Sequence, residues 1–497
     1  MSRTAGVPQL IEALERAGLL VEQRGALPPR VTGITDDSRA VMKGGVFVAV
    51  RGTQRDGHSF LEAAARVGAA MAIVEDALAT ELPALIVRDG RRAAAVAAAA
   101  FYGEPAVHLT LIGVTGTNGK TTTVGILRHL LDMPRNQPTA RAASIGTLGV
   151  LVGSAGETLP GVVSAEPPGP PGAIELQRLL RVLVDAGVRT VAMEASSHAL
   201  DQGRADGLHF AAAVFTNLTR DHLDYHGTME AYFAAKTRLV TALAADGVAV
   251  RNADDEAWLA LPQAPRSLSF GVWSGAADVR ADGVAFHPRG SRFTLVHGAE
   301  RAVVELPLIG DFNVANALGA AAAAIGLGMD VATVAARLTV LPQVPGRLEM
   351  LSEHPVVLRD YAHTPDALER ALRALRPFTP GRLIVLFGCG GDRDKGKRPM
   401  MADIAHRLAD AVVVTSDNPR TEDPEGILDD ICAVLPPGSY ERIEDRRTAI
   451  ATAMAMADPV RDAVLLAGKG HETYQIRGTT SYPFDEAAIV RQLLGAE

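Results

Sequence analysis

Short apolar runs that stop at glycine or at polar loops alternate along this chain with Ala-, Leu- and Arg-rich stretches whose apolar residues recur at helical spacing. The runs GGVFVAV (44–50), MAIVED (71–76), VHLTLIGV (107–114), RLIVLF (382–387), DAVVVT (410–415) and DAVLLA (462–467) predict strands, being rich in branched residues and closed by turn residues. Stretches such as PQLIEALERAGLL and RRAAAVAAAAF predict the intervening helices. Alternation of this kind predicts an α/β fold with largely parallel sheets. Loops at the carboxyl ends of such strands are where open sheets bind ligands.

At 497 residues and roughly 100 to 200 residues per domain, about three domains are expected. Residues 1–108 form the first, 109–343 the second, opening with VHLTLIGV, and 344–497 the third, with Pro342 and Pro345 suggesting a hinge. The third repeats strand then loop three times, in RLIVLFGCGGDRDKGKRP, DAVVVTSDNPR and DAVLLAGKGHE. The stretch SAEPPGPPG at 164–172 reads as an extended loop, because proline continues neither element.

Forty-nine Lys and Arg against 57 Asp and Glu give a net charge of −8 with no long run of one sign. That argues against a nucleic-acid or anionic-membrane surface. Cys389 and Cys432 match no metal spacing, and so few thiols suit a reducing compartment. The first twenty residues lack a signal-peptide core, with Glu12 and Glu15 among the apolar positions. The alanine runs are too short to span a bilayer. A cytoplasmic monomer is expected.

The stretch VTGTNGKTTT (114–123) follows a predicted strand and opens a predicted helix. Such a loop aims backbone N–H groups and a helix N-terminus at an anion, with Lys120 as a point charge and the hydroxyl of Thr121 or Thr122 for magnesium. Strict P-loop spacing places glycine at 114, where this chain has Val114; its glycines are Gly113, Gly116 and Gly119. An ordinary glycine-rich turn is the alternative, and the motif alone leaves kinase, GTPase and ligase open. In TVAMEASSHALDQGR a strand delivers Glu194 at its end, where a carboxylate faces a phosphate loop or merely caps a helix. His222 falls in a strand-end loop, and Lys236 on the next helix reads as an ordinary solvated lysine.

Taken together, GVTGTNGKTTT, MEASSHALDQGR, VFTNLTRDHLDYHGTMEAYFAAK, IGDFNVANALGA, VPGRLEML, RDYAHTPDAL, GCGGDRDKGKRP, SDNPR and GKGHETYQ closely resemble the Mur ligases of peptidoglycan synthesis, and within them the MurE type. The resemblance covers nearly the whole chain in one order. It implies an N-terminal UDP-sugar domain, a central P-loop ATPase domain and a Rossmann-like C-terminal domain for the incoming amino acid. It implies that Gly116, Thr117, Asn118, Gly119, Lys120, Thr121 and Thr122 cradle the triphosphate of ATP. Thr121, Glu194 and His222 would surround magnesium, Asn316 would lie near the adenine, and Arg347, Asp360 and nearby His363 would come from the third domain. Lys236 matches the family's carbamylated lysine. The partners implied are UDP-N-acetylmuramoyl-L-alanyl-D-glutamate and a diamino acid, joined through an acyl phosphate.

For the sugar-peptide, the resemblance points to Ser38, Thr53, Gln54 and Arg55 around the uridine, and to Ser196, Gln202 and Arg204 along the dipeptide. One departure stands out: where the family usually has Thr-Thr-Pro, this chain has Gly169, Pro170 and Pro171. Asp417, Asn418, Pro419 and Arg420 match the stretch that accompanies diaminopimelate. Its second carboxylate calls for a bidentate guanidinium, which Arg393 and Arg420 can supply, and Glu472 with the Gly468 carbonyl suits its distal ammonium. Both arginines could instead be structural ion-pair partners. Lysine or ornithine as the added amino acid, a folylpolyglutamate synthase of the same fold, and a nucleotide-dependent switch are the competing readings. A dehydrogenase reading of GCGGDRD is weaker, since glycine-rich strand ends serve many ligands.

Overall fold

The computed structural model describes residues 4–52, 55–76, 80–132, 141–159, 162 and 171–495. Two compact units divide the chain. One comprises Met1–Arg280, Val296–Glu300 and Ala315–Arg337, and the other Ala281–Leu295, Arg301–Val314 and Leu338–Glu497.

The first unit begins with helix α1 (Val7–Arg16) and a five-stranded sheet. Its strands β1 (Leu20–Arg24), β2 (Ile34–Thr35), β3 (Val46–Val48), β4 (Met71–Val74) and β5 (Ala84–Val87) lie in the order β1-β5-β4-β3-β2. Neighbours from β2 to β5 run parallel, and β1 is antiparallel at the edge. Strands β3, β4 and β5 are buried along their whole length, which is why they read as unbroken apolar runs. Helix α2 (Gly90–Tyr102) starts where Asp89 accepts from the N–H groups of Arg91 and Arg92, and ends at Gly103 in the left-handed region.

A second sheet holds the phosphate-loop motif. Its parts are β6 (Thr110–Thr115), α3 (Lys120–Leu131), β7 (Arg141–Gly146), β8 (Gly149–Val152), α4 (Ala173–Asp185), β9 (Val188–Glu194), α5 (Ser197–Asp201), β10 (Phe210–Phe215), α6 (Met229–Thr241), β11 (Leu243–Asn252) and β12 (Arg266–Gly271). Across the sheet these strands run β8-β7-β9-β6-β10-β11-β12. β6 is flanked in parallel by β9 and β10, so three strand ends emerge side by side. Leu111, Val191, Met193, Phe210, Phe215 and Leu239 form the core behind them. Ile174 of α4 packs into the core of the first sheet.

The second unit is built on six strands: β13 (Glu349–Glu353), β14 (Val356–Asp360), β15 (Leu383–Phe387), β16 (Ala411–Val414), β17 (Glu441–Arg442) and β18 (Ala463–Ala467). Their order is β13-β14-β18-β15-β16-β17, all parallel except β13. Buried clusters cover both faces. The loops after β14, β18, β15 and β16 therefore leave the same edge, as the three strand-then-loop repeats predict for β15, β16 and β18. Among the described residues no helix is long and apolar enough to cross a membrane; alanines 320–324 are fully buried in the protein core instead.

Candidate active site

The phosphate loop owes its path to two glycines. A Cβ on Gly116 would lie 1.9 Å from Thr216 Oγ1, just past β10, and φ there is +150°. Gly119 sits at φ +83°, and a Cβ on it would come within 2.2 Å of Asn316 Oδ1. Only glycine permits both approaches. Asn217 braces the loop, its carbonyl accepting from Thr117 N–H at 2.8 Å and its side-chain oxygen from Asn118 N–H at 2.9 Å. Thr117 Oγ1 stands 3.1 Å from the Thr219 carbonyl and 3.3 Å from the Tyr232 hydroxyl, so this side chain ties the loop to α6. α3 starts at Lys120 with Thr121 and Thr122 buried in its first turn, presenting the positive end of the helix dipole at the loop.

Lys120 Nζ donates to the carbonyls of Gly116 at 3.0 Å and Thr117 at 2.7 Å. Lys236 Nζ donates to the same Gly116 carbonyl at 2.6 Å. The solvated reading of Lys236 is overturned: α6 turns this side chain inward, 1% exposed, and Ala235, Leu239 and Val240 of the same helix are buried too. Its ammonium lies 4.3 Å from the centre of the Tyr232 ring. Burial, then the Lys120 cation, hold its pKa well below the usual lysine range, with Asp221 opposing.

Glu194 ends β9 and is buried, its two oxygens accepting from Thr147 N–H at 2.9 Å and Thr147 Oγ1 at 3.1 Å. His222 precedes the short turn of helix Leu223–His226 at φ +53°, its N–H donating to the Asp221 carboxylate. The His222 ring meets His198 edge-on at 4.8 Å, and His198 meets Tyr225 at 4.2 Å. His226 Nε2 lies 2.9 Å from Ser197 Oγ. Burial lowers the pKa of all three imidazoles; at His222 Asp221 opposes it, while Lys120 and Lys236 reinforce it.

Ser196 caps α5, its Oγ accepting from Ala199 N–H at 3.1 Å. Gln202 Oε1 accepts two Arg204 N–H bonds at 3.2 and 2.8 Å, and its Nε2 donates to the Tyr225 hydroxyl. Burial lowers the Arg204 pKa; Tyr225 and Asp36 oppose this and Arg91 adds to it. Ser38 opens a turn that Asp37 caps. Arg55 is exposed, with its carbonyl accepting from Gly52 N–H. Thr53, Gln54, Gly169 and Pro170 lie outside the described residues.

In the second unit, Asp360 ends β14 and accepts from Leu348 N–H at 2.7 Å. Burial raises its carboxyl to about 6, against the pull of Arg347. The Arg347 guanidinium lies 4.6 Å from the centre of the Tyr361 ring, which also meets His363 and His471. His363 is exposed, its Nδ1 2.8 Å from the Tyr361 carbonyl.

The loops after β15 and β16 meet backbone to backbone. A Cβ on Gly388 would lie 2.1 Å from the Thr415 carbonyl, and one on Gly391 would lie 1.9 Å from the Pro419 carbonyl. Arg420, at φ +52°, donates to the Gly391 carbonyl at 2.9 Å. A Cβ on Gly390 would be 2.8 Å from Arg420 Nη1 and 3.8 Å from Arg393 Cγ, so the two arginines flank one glycine. The buried structural arginine here is Arg398, paired with Glu422 at 3.0 Å and Asp430 at 2.7 Å. Across the same edge, Asn418 Nδ2 donates to Glu472 Oε2 at 2.9 Å, and Asp417 Oδ2 lies against Gly468.

Comparison with known proteins places this geometry. Residues 30–117 match the Mur ligase family catalytic domain, 114–324 the Mur ligase middle domain, and 346–470 the Mur ligase glutamate ligase domain. The UDP-N-acetylmuramoyl-L-alanyl-D-glutamate--2,6-diaminopimelate ligase of Synechococcus elongatus is 46% identical over 491 residues, covering 96% of each chain. The ligase of the same name from Gloeobacter violaceus is 45% identical, covering 98% of each. A solved structure of a ligase of that name superposes with a TM-score of 0.67 at 34% identity, covering 96% of this chain and 97% of the other. The chain belongs to the Mur ligase family.

As a Mur ligase it has the three-domain α/β fold and is an ATP-dependent ligase. Within the first unit, the structure gathers Gly116 to Thr122, Asn316 and Lys236 at one strand-end loop. Within the second, it gathers Arg393, Asp417 to Arg420, Gly468 and Glu472 at one sheet edge. Sequence reasoning placed His198 in the loop after Glu194 without a role, and did not name Tyr225, His226, Tyr232 and Asn217. The four histidines within 198–226, of which His198, His222 and His226 come together, carry a visible signal. Asn217 and Tyr232 carry none, because their contacts join segments distant in the chain.

Proposed function

We propose that the chain joins meso-diaminopimelate to the D-glutamate γ-carboxylate of UDP-N-acetylmuramoyl-L-alanyl-D-glutamate, with ATP cleaved to ADP and phosphate. The carrying observation is the strand edge of the second unit. Its loops set Arg420 and Arg393 around Gly390, with Glu472 held on Asn418 at the same edge. Neither arginine pairs with a carboxylate among the described residues. A ligand with two carboxylates and two ammonium groups meets complementary charge there. Lysine and ornithine lack the second carboxylate and would leave the arginine pair unused.

A carboxylate resists attack by an amine because its leaving group would be oxide. Transfer of the γ-phosphoryl group to the γ-carboxylate creates an acyl phosphate, which the α-amine attacks; the tetrahedral intermediate then collapses to amide and phosphate. Lys120 and the N-terminus of α3 stabilise negative charge on the transferring group, and loop rigidity through Asn217 keeps them in place. The donor set fits magnesium, which takes one or two carboxylates and keeps phosphate and water oxygens as its other ligands. Glu194 is such a carboxylate, Thr121 supplies a hydroxyl and His222 lies within reach of the charges of Lys120 and Lys236; among the described residues no three His, Cys, Asp or Glu converge as a closed cage. Magnesium, when bound, neutralises charge on the phosphates. A carbamylated Lys236 would add an anion beside the loop. The division into domains at about 108 and 343 is supported by the separate sheets, and a cytoplasmic monomer remains our reading.

Phosphate release from magnesium-ATP with the UDP-dipeptide, adding diaminopimelate, lysine or ornithine separately, tests this. Turnover with diaminopimelate, lost in Arg420→Ala, is the expected result. Turnover with lysine alone would overturn the use of Arg420, and release indifferent to every amino acid would overturn the ligase reading.

A further inference from the structure

The loop after β18 carries a lysine that none of the steps above uses. Lys469 is fully buried, with 0% exposure. Its Nζ donates to Asn418 Oδ1 at 3.1 Å, stands 3.4 Å from Glu472 Oε2 and lies 5.8 Å from the centre of the Tyr474 ring. Asn418 closes the triangle: its Nδ2 donates to Glu472 Oε2 at 2.9 Å, and its Oδ1 also accepts from Ile476 N–H at 2.9 Å. These contacts fix the direction of the amide, oxygen toward Lys469 and nitrogen toward Glu472.

Burying an ammonium is costly unless it is paired and hydrogen-bonded. A partner needed only for folding could be any buried carboxylate; here both acceptors belong to the edge assigned to the diamino acid. We infer that Lys469 is a positioning residue that locks Glu472 and Asn418 into one rigid acceptor for the distal ammonium of the incoming diamino acid. The inference rests on the reading of Glu472 as the residue that receives this ammonium.

Charge supports the geometry. Burial raises the Glu472 pKa, Lys469 opposes that, and Asp417 adds to it. Tyr361 is the further titratable group facing Glu472. Without the Lys469 cation, burial and Asp417 act together to keep a proton on Glu472, and a protonated carboxyl no longer pairs with an ammonium. The loss is therefore greatest at low pH and shrinks as pH rises and Glu472 ionises.

The test compares the full-length enzyme with Lys469→Met and Glu472→Gln, measuring kcat and KM for diaminopimelate, ATP and the UDP-dipeptide from about pH 6 to 9. Lys469→Met is expected to raise KM for diaminopimelate on the order of tenfold or more near neutral pH, with KM for ATP nearly unchanged and the deficit narrowing at high pH. Glu472→Gln should show a deficit of similar size that does not narrow. If Lys469→Met leaves KM for diaminopimelate unchanged, or raises all three KM values alike, while Glu472→Gln keeps its deficit, the positioning role is overturned. A Glu472→Gln enzyme without a deficit overturns the Glu472 assignment instead. Should the methionine variant not accumulate, Lys469→Gln, which keeps a donor but no charge, carries the same comparison.

Discussion

Lys120 and Lys236 donate to one oxygen, the carbonyl of Gly116, at 3.0 and 2.6 Å. Two ammonium groups on one acceptor repel, and the more deeply buried one gives up its proton more readily. That one is Lys236. A neutral amine attacks carbon dioxide where an ammonium cannot: nitrogen bonds to carbon, one proton leaves to solvent, and the lysine becomes an anionic carbamate. In 13C-bicarbonate the enzyme is expected to show a carbamate carbonyl resonance that Lys236→Met lacks. A spectrum without that resonance in the unmodified enzyme, at pH 8 with ATP and magnesium present, would exclude the carbamate.

The same burial sets a pH dependence of stability. The folded-state pKa of Lys236 lies below the ordinary 10.5. Between the two values the unfolded chain binds the extra proton, so stability rises with pH across that window. In carbon-dioxide-free buffer, Lys236→Met should melt at a higher temperature than the parent at pH 7, with the gap narrowing toward pH 9. Parallel melting curves across this range would show that Lys236 keeps its proton after folding.

How far the site could be read from sequence depends on how local its contacts are. Gly116 to Thr122 were legible because strand, glycine turn and helix start are adjacent in the chain. The parallel strand ends were legible for the same reason, since each strand and its loop form one run. Lys236 was not: which face of α6 meets the sheet is decided by Tyr232 and the Gly116 carbonyl, neither visible in its spacing. Asn418 and Glu472 came only from the family resemblance, and their bond to Lys469 joins loops after two different strands.

Gly119 and Asn316 make a pair whose coupling can be measured. A Cβ at 119 meets Asn316 Oδ1 at 2.2 Å, and φ of +83° strains any other residue. Gly119→Ala therefore shifts the loop or expels the amide. A misplacement on the scale of an ångström costs on the order of 10²-fold in kcat/KM for ATP. Removing the amide in Gly119→Ala/Asn316→Ala relieves the clash but not the strain, so part of the loss should return. A double variant as poor as the product of the two singles would show that the contact does not matter.

Asp360 has a pKa of about 6, above the ordinary carboxyl value of 3.8. The folded chain thus binds its proton more tightly, contributing stability that is present below pH 4 and lost as pH rises through about 6. The full shift corresponds to roughly 3 kcal/mol. Asp360→Asn, which keeps an acceptor for Leu348 N–H, should flatten the fall in melting temperature between pH 4 and 7. An unchanged slope would mean that Arg347 compensates the buried charge completely.

Gly391 and Arg420 decide whether the arginine pair is a unit. The Pro419 carbonyl occupies the space of a Cβ at 391, 1.9 Å away, and the Arg420 guanidinium rests on the Gly391 carbonyl. Gly391→Ala must push the 417–420 loop away and take Arg420 off its support. The expected result is a KM for diaminopimelate raised on the order of thirtyfold or more, as when a charged hydrogen bond is lost, with KM for ATP little changed. Because both substitutions then remove the same interaction, adding Arg420→Ala to Gly391→Ala should cost far less than Arg420→Ala alone. Additive losses would mean that Arg420 works without the glycine loop beneath it, and that the close packing of the two loops serves only the fold.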